Sequence, residues 1–242
     1  MFQKKLSSDD FIDPSKILEH SDKVALGVNQ GKTLKEIFEV SDETMHAKYA
    51  LAHEVLARGD AIAASNLFAY LAAFDPFNPN YWLALSSTYA YLGNTAKSIN
   101  TLSVATLLDE KSDLLLVLSA HAFVLEGDTK SLEELRKAIS KIKNKDLLKI
   151  GTELIEDKQA DAKKGLKLIW NMMDPNQKDP LRSNKSVLQV EKIEERQGQL
   201  DHMLDQAMNN ELPVRLQGLA KQLKQDFGGS LTVFAMNFLG EG

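Results

Sequence analysis

The sequence predicts an all-α repeat protein, and three observations support this fold class. First, Gly59, Gly93 and Gly127 are spaced 34 residues apart, and each precedes a small polar residue. Second, apolar residues recur in register with these glycines, at Val55, Tyr89 and Phe123. Third, Pro76 ends the first unit, because proline cannot continue a helix. A chain with such a period is expected to form a stack of helix pairs.

A period of 34 residues is the length of the tetratricopeptide repeat. Alignment on the glycines places the units at roughly 45–78, 79–112 and 113–146, each with a helix A, a tight turn and a helix B. Glycine accepts the backbone angles of the turn, and small residues such as Ala64 and Ala105 let neighbouring helix axes approach. The predicted architecture is a right-handed superhelix of three repeats whose A helices line a concave face. The alternative is an accidental spacing in a plain helical bundle, which the coincident apolar positions disfavour.

The chain divides into segments that differ in composition. An N-terminal helical segment is expected at 1–40, and the three repeats at 41–146. A degenerate helix pair at 147–174 is expected to cap the stack, because solenoids generally end in an atypical repeat. A polar linker that contains Pro175 and Pro180 is expected at 175–186, before a C-terminal helical extension with an apolar tail at 187–242.

Composition excludes several classes of function. Lys and Arg number 29 against 34 Asp and Glu, so the formal charge of -5 argues against a nucleic-acid partner. The chain has no cysteine, which excludes disulfides and cysteine ligands and suits a reducing cytoplasm. The sequence shows neither a signal peptide nor an apolar run of membrane-spanning length, so no stable membrane insertion is expected.

The histidines and the first glycines of the chain do not form a recognisable catalytic or metal site. His46 and His53 share a helical face, but neither a carboxylate nor a third histidine completes a metal ligand set. Gly27 and Gly31 have three residues between them, whereas a phosphate loop needs four and follows a strand. This segment is interpreted as a helix start that is capped near Thr33. No catalytic residue, metal or cofactor is predicted, and we do not expect an enzyme.

Several motifs in the first half of the chain resemble those of one family of bacterial chaperones. They are Gly31-Lys-Thr-Leu-Lys-Glu-Ile, Val40-Ser-Asp-Glu-Thr-Met, Tyr49-Ala-Leu-Ala, Gly59, Phe68, Phe74-Asp-Pro-Phe and Tyr81-Trp-Leu-Ala-Leu. Over roughly residues 31–128 the chain is similar to the class II chaperones of type III secretion, of the SycD/LcrH type. The resemblance implies three tetratricopeptide repeats after an N-terminal helical segment. It also implies that the concave groove holds an extended segment of a hydrophobic translocator protein, which stays soluble in the cytoplasm until export.

Helical spacing also locates a candidate groove without reference to the family. In helix A of such a repeat, positions 4, 7, 8 and 11 pack into the core, so positions 5, 9 and 12 point to the concave side. The residues at these positions are predicted to bind peptide, and they are Tyr49, His53, Leu56, Leu83, Ser87, Ala90, Val117, His121 and Val124. This mostly apolar set suits an extended peptide. The alternative for each residue is ordinary packing against the next repeat or the C-terminal region.

Two further segments and the choice between two functions remain open. The basic run between Arg136 and Lys149 is interpreted as a solvated helix face, with an acidic partner or an anionic membrane surface as the alternative. The apolar tail at 231–239 is expected to pack against the chain's own helices or against a second copy, so a homodimer stays open. We expect an export chaperone for hydrophobic translocator proteins. The alternative is a general tetratricopeptide scaffold or regulator that joins folded partners.

Overall fold

The protein is described by a computed structural model that covers residues 11–12, 14–109, 112–127, 129–156, 192–211 and 214–240. Within these ranges every regular element is helical, which confirms the all-α prediction. The predicted linker at 175–186 lies outside the described residues. The second part of the predicted capping pair and the start of the C-terminal extension also lie outside them.

The helices fall into three groups along the chain. The N-terminal group consists of α1 (Pro14–Glu19), α2 (Ser21–Asn29) and α3 (Leu34–Ile37). The central group consists of α4 (Asp42–Ala57), α5 (Ala61–Phe74), α6 (Pro79–Tyr91), α7 (Thr95–Leu108), α8 (Asp113–Glu126), α9 (Thr129–Ile139) and α10 (Lys145–Glu156). The C-terminal group consists of α11 (Ile193–Gln206), a π-helix (Ala207–Glu211), α12 (Val214–Asp226) and α13 (Leu231–Gly240).

Side-chain caps begin α3, as the sequence predicts, and also α4. The Glu36 backbone N–H donates to the Thr33 hydroxyl, and the Thr33 backbone N–H donates to the Glu36 carboxylate, which together form a capping box. The Thr44 backbone N–H donates to the Ser41 hydroxyl at the start of α4. These bonds satisfy amide groups that have no partner within the helix. The segment around Gly31 is therefore a helix boundary.

The three glycines of the repeat end α4, α6 and α8 in the same geometry. Gly59, Gly93 and Gly127 have φ angles of 93°, 76° and 73°, in the left-handed region that glycine tolerates best. The Gly59 N–H donates to the Leu56 carbonyl, and the next backbone N–H donates to the Val55 carbonyl. This pair of bonds is a Schellman motif, and it recurs at Gly93.

The residue after each of the first two glycines serves two helices at once. The backbone N–H groups of Asp60 and Asn94 complete the preceding helix, while their side chains begin the next one. The Asp60 carboxylate accepts a hydrogen bond of 3.0 Å from the Ala63 N–H, and the Asn94 side chain accepts one of 3.1 Å from the Lys97 N–H. The helices that follow the glycine turns begin 34 residues apart, at Ala61, Thr95 and Thr129.

The turns between successive helix pairs are also equivalent. Asp75 and Asp109 end α5 and α7 with similar backbone angles. The side chains of Asn78 and Ser112, three residues further on, cap α6 and α8. Pro76 therefore marks a turn that recurs 34 residues later without a proline.

Small residues allow the central helices to pack closely, each against the next along the chain. Ala64 and Ala105, which the sequence places at close helix contacts, are fully buried. The Ser86 hydroxyl of α6 donates a 2.8 Å hydrogen bond to the Ser98 carbonyl of α7. A larger residue at position 86 would separate the two backbones, because such close packing leaves no spare volume.

The C-terminal helices pack on the central group. α13 lies against α5, and α12 lies against α7. The rings of Phe234 and Phe238 in α13 each have their centroid 6.2 Å from that of Trp82. The apolar tail thus packs against the chain's own helices, which was one of the two expected arrangements. None of the helices in the described ranges is both long and apolar enough to cross a membrane.

Arg196 of α11 connects the C-terminal group to the N-terminal group. Its guanidinium donates hydrogen bonds of 2.9 Å to both carboxylate oxygens of Glu36 and to the carbonyl of Gly31. The guanidinium also lies 4.6 Å from the centroid of the Phe77 ring. Because Arg196 is only 7% exposed, its charge depends on these contacts for stabilisation.

Candidate functional site

The residues predicted to line a peptide groove differ in exposure. The buried ones are His53, Leu83, Ser87, Val117 and His121. The half-buried ones are Tyr49, Leu56, Ala90 and Val124. The buried residues present no free surface, so this structure has no open groove that runs through every predicted position. Peptide binding by these residues stays a prediction.

Val117 is buried because α10 packs directly on α8. Val117 has no exposed surface, and a Cβ at position 151 of α10 would lie 3.1 Å from its Cγ2 atom. The same Cβ would lie 3.2 Å from Cγ2 of Ile139 in α9. Gly151 therefore permits a backbone approach that a larger residue would obstruct. Val117 therefore packs against α10, beyond the third repeat, which agrees with the alternative of ordinary packing given above.

Tyr49 and His53 belong to an aromatic cluster that joins α4, α5 and α6. The Tyr49 ring centroid lies 4.5 Å from that of His53 and 5.5 Å from that of Tyr81. The His53 and Phe68 centroids are 5.1 Å apart. Burial lowers the pKa of His53 to about 4, so the imidazole is neutral at neutral pH. His46 is exposed, and the two histidines do not share a site.

Ser87 and Leu83 interact with each other inside α6. The Ser87 hydroxyl donates a 2.8 Å hydrogen bond to the Leu83 carbonyl one turn earlier. This bond satisfies the buried hydroxyl without a ligand, which is common for serine in helices. Leu83 is 0% exposed and belongs to the hydrophobic core. Both residues therefore contribute to packing within the described structure.

The accessible part of the predicted set lies next to the glycine turns. Leu56, Ala90 and Val124 each precede a turn glycine by three residues, so they occupy the same end of successive helix pairs. Beside them Tyr91 and Leu92 are 45% and 41% exposed. We call these five residues the turn-end row. All five side chains are apolar or aromatic and at least partly exposed, so a partner could contact them without rearrangement of the core.

Tyr91 and Leu92 are members of the turn-end row that the sequence reasoning missed. Helical spacing assigns residues to faces, and these two lie in the last residues before the turn, where the helical face pattern ends. A usable signal was present, because two large apolar residues directly precede Gly93. At the equivalent positions before Gly59 the chain has Ala57 and Arg58.

Metal-binding side chains do not cluster in the part of the chain that the structure describes. No three His, Asp or Glu residues there come close enough to hold an ion.

Comparison with known proteins finds no relative of this chain. No family model matches the chain, no curated protein matches it, and no solved structure matches it. The resemblance to type III secretion chaperones, which the motifs between residues 31 and 128 suggest, therefore stays a prediction.

Proposed function

We propose that this chain is a tetratricopeptide-type chaperone of type III secretion, which acts in the cytoplasm on hydrophobic translocator proteins. The observation that carries the proposal is the recurrence of one helix-turn-helix geometry at intervals of 34 residues. Units that repeat in this way present equivalent side chains at regular intervals, which suits an extended polypeptide. The chaperone-like motifs between residues 31 and 128 support the class of cargo.

The turn-end row is the proposed contact surface for the cargo. Its side chains come from α4, from α6, from the turn between α6 and α7, and from α8. A bound segment would therefore cross successive helix pairs. Apolar cargo side chains would cover Tyr91 and Leu92, at roughly 25 cal/mol for each square ångström removed from water. Tyr49 is also half-buried and belongs to the predicted groove but not to the turn-end row, and its ring centroid lies 5.5 Å from that of Tyr81.

Co-expression with a translocator protein of a type III secretion system tests this function. The translocator should be insoluble when expressed alone and should elute with the chain as a soluble complex on size-exclusion chromatography. A translocator that stays insoluble in the presence of the chain would contradict the chaperone function. A stable complex with a folded partner only would favour the scaffold alternative.

A pair of charged substitutions tests the proposed surface. Tyr91→Glu should weaken the complex about tenfold or more, because it places a charge where apolar cargo is buried. Ile62→Glu is the matched control, since Ile62 is 67% exposed on α5 and lies outside the turn-end row. If both variants weaken the complex equally, the turn-end row is not the binding surface.

A further inference from the structure

A cleft of about 220 Å³ lies between α9 and α10. Its floor is apolar and consists of Ile139, Leu148 and Ile155, of which Leu148 is half-buried. Its rim is polar and includes Arg136 and Thr152, which are both exposed. A concave site with an apolar floor and a polar rim can hold one apolar side chain and fix the orientation of the chain that carries it.

Cationic residues are close in sequence to the residues that line this cleft. Lys137 follows Arg136 on α9, and Lys141 directly follows Ser140, which lines the cleft. Lys145 and Lys149 are exposed on α10. They precede the lining residues Leu148 and Thr152 by three positions, and residues at that spacing are neighbours on a helix surface.

Between Arg136 and Lys149 the chain carries six cationic residues and one acidic residue, Asp146, and further acidic residues flank this stretch at Glu133, Glu134, Glu153 and Glu156. Glu133 forms an ion pair of 4.0 Å with Arg136, and Glu156 lines the cleft at the end of α10. The net charge of the chain is -5, so a basic patch of this kind stands out against an acidic molecule. A ligand with several negative charges would be attracted to the rim.

We propose that the cleft between α9 and α10 binds an acidic segment of a partner protein. One apolar side chain of the segment enters the cleft, and flanking Asp or Glu residues contact Lys145, Lys149 and their neighbours on α9. The apolar floor favours a peptide over an anionic membrane, because a membrane surface presents charge without an anchor of fixed position. This site is separate from the turn-end row and does not depend on the function proposed above.

Fluorescence anisotropy with a labelled synthetic peptide tests the proposal. The probe has a central leucine with glutamates on both sides, and the full-length chain is titrated into it at low ionic strength. We expect saturable binding that weakens as salt is added, because exposed charge pairs are screened. The same peptide with serine in place of leucine should bind more weakly.

Charge reversal on α10 provides the decisive comparison. The double variant Lys145→Glu with Lys149→Glu should weaken peptide binding about tenfold, since two attractive pairs become repulsive. The matched control is Lys16→Glu with Lys221→Glu, which makes the same change in net charge at exposed positions of α1 and α12. The control should change the affinity less than about twofold. Far-UV circular dichroism should show that both variants remain folded.

Filling the cleft tests the role of the apolar anchor. Thr152→Trp should weaken binding of the leucine peptide, and the fold should stay intact because Thr152 is exposed. Absence of saturable binding by the wild-type chain would overturn the proposal. An equal loss in both lysine double variants would overturn it as well, because it would indicate a non-specific effect of net charge. Binding to phosphatidylglycerol vesicles without binding to the peptide would replace it with a membrane-binding surface.

Discussion

Replacement of Arg196 should show how much a contact between distant parts of the chain contributes to the free energy of unfolding. The Arg196 guanidinium holds Glu36 and the Gly31 carbonyl, although 160 positions separate it from Glu36 in the sequence. Arg196→Met keeps much of the side-chain volume and removes the charge. Removal of one partner from a buried ion pair typically costs about 3 to 5 kcal/mol.

The expected cost for Arg196→Met is about 2 to 3 kcal/mol, at or below the lower limit of that range. The Glu36 side chain is 32% exposed, so water can replace part of the lost interaction. Glu36 also keeps its hydrogen bond from the Thr33 backbone N–H, at 2.7 Å. These two features reduce the penalty that a fully buried, unpaired carboxylate would carry.

Urea unfolding followed by far-UV circular dichroism measures this cost. A double-mutant cycle with Glu36→Gln should give a coupling free energy of about 1 kcal/mol or more, because the two residues are in direct contact. The matched control is Arg58→Met, which removes an exposed pair with Glu54 at 3.4 Å and should cost less than about 0.5 kcal/mol. The reasoning is refuted if Arg196→Met costs no more than Arg58→Met.

The pH dependence gives an independent check on the same contact. Burial alone would raise the pKa of Glu36, but hydrogen bonds from Arg196 and Thr33 outweigh it and hold the pKa below its ordinary value. The contact therefore adds stability above the unfolded-state pKa, and this stability is lost as the pH falls through the folded-state pKa. Arg196→Met should reduce the dependence of the unfolding free energy on pH in this acidic range.

Two further predictions concern buried residues of the central helices. The buried His53 is neutral in the folded protein with a pKa of about 4, so the unfolded state takes up the proton first as the pH falls below about 6.5. The unfolding free energy should drop by about 2 kcal/mol between pH 7 and pH 5, and His53→Gln should remove this part of the drop in urea titrations at the two pH values. Leu83→Ala should cost about 2 to 5 kcal/mol because Leu83 is 0% exposed. Leu92→Ala, at a position that is 41% exposed, should cost under about 1 kcal/mol, and similar losses in both variants would contradict the assignment of Leu83 to the core.

The predicted binding set shows where sequence reasoning reached its limit. Helical spacing places Leu83 and Val117 on one face of their helices, but it does not say whether that face is open or covered. Val117 is covered by α10, whose Gly151 allows close approach. Leu56 and Ala90 have the same kind of spacing and remain half-buried. The difference depends on which helices pack together, and such contacts join parts of the chain that are distant in sequence.

The sequence by itself determined the helices, their turns and their caps. The Schellman turns at Gly59 and Gly93 and the cap at Thr33 depend on hydrogen bonds between residues that are at most five positions apart. Local chemistry of this kind can be read directly from residue types.

Only the tertiary structure decided the burial of five of the nine predicted groove residues and the contact between Arg196 and Glu36. It also decided the packing of α13 on α5 and Trp82. These contacts arise when several helices exclude water together, and many arrangements of the same amphipathic faces satisfy the local pattern equally well. Long-range packing selects one arrangement through shape, volume and the pairing of buried charges, none of which is visible in the spacing of residues along one helix.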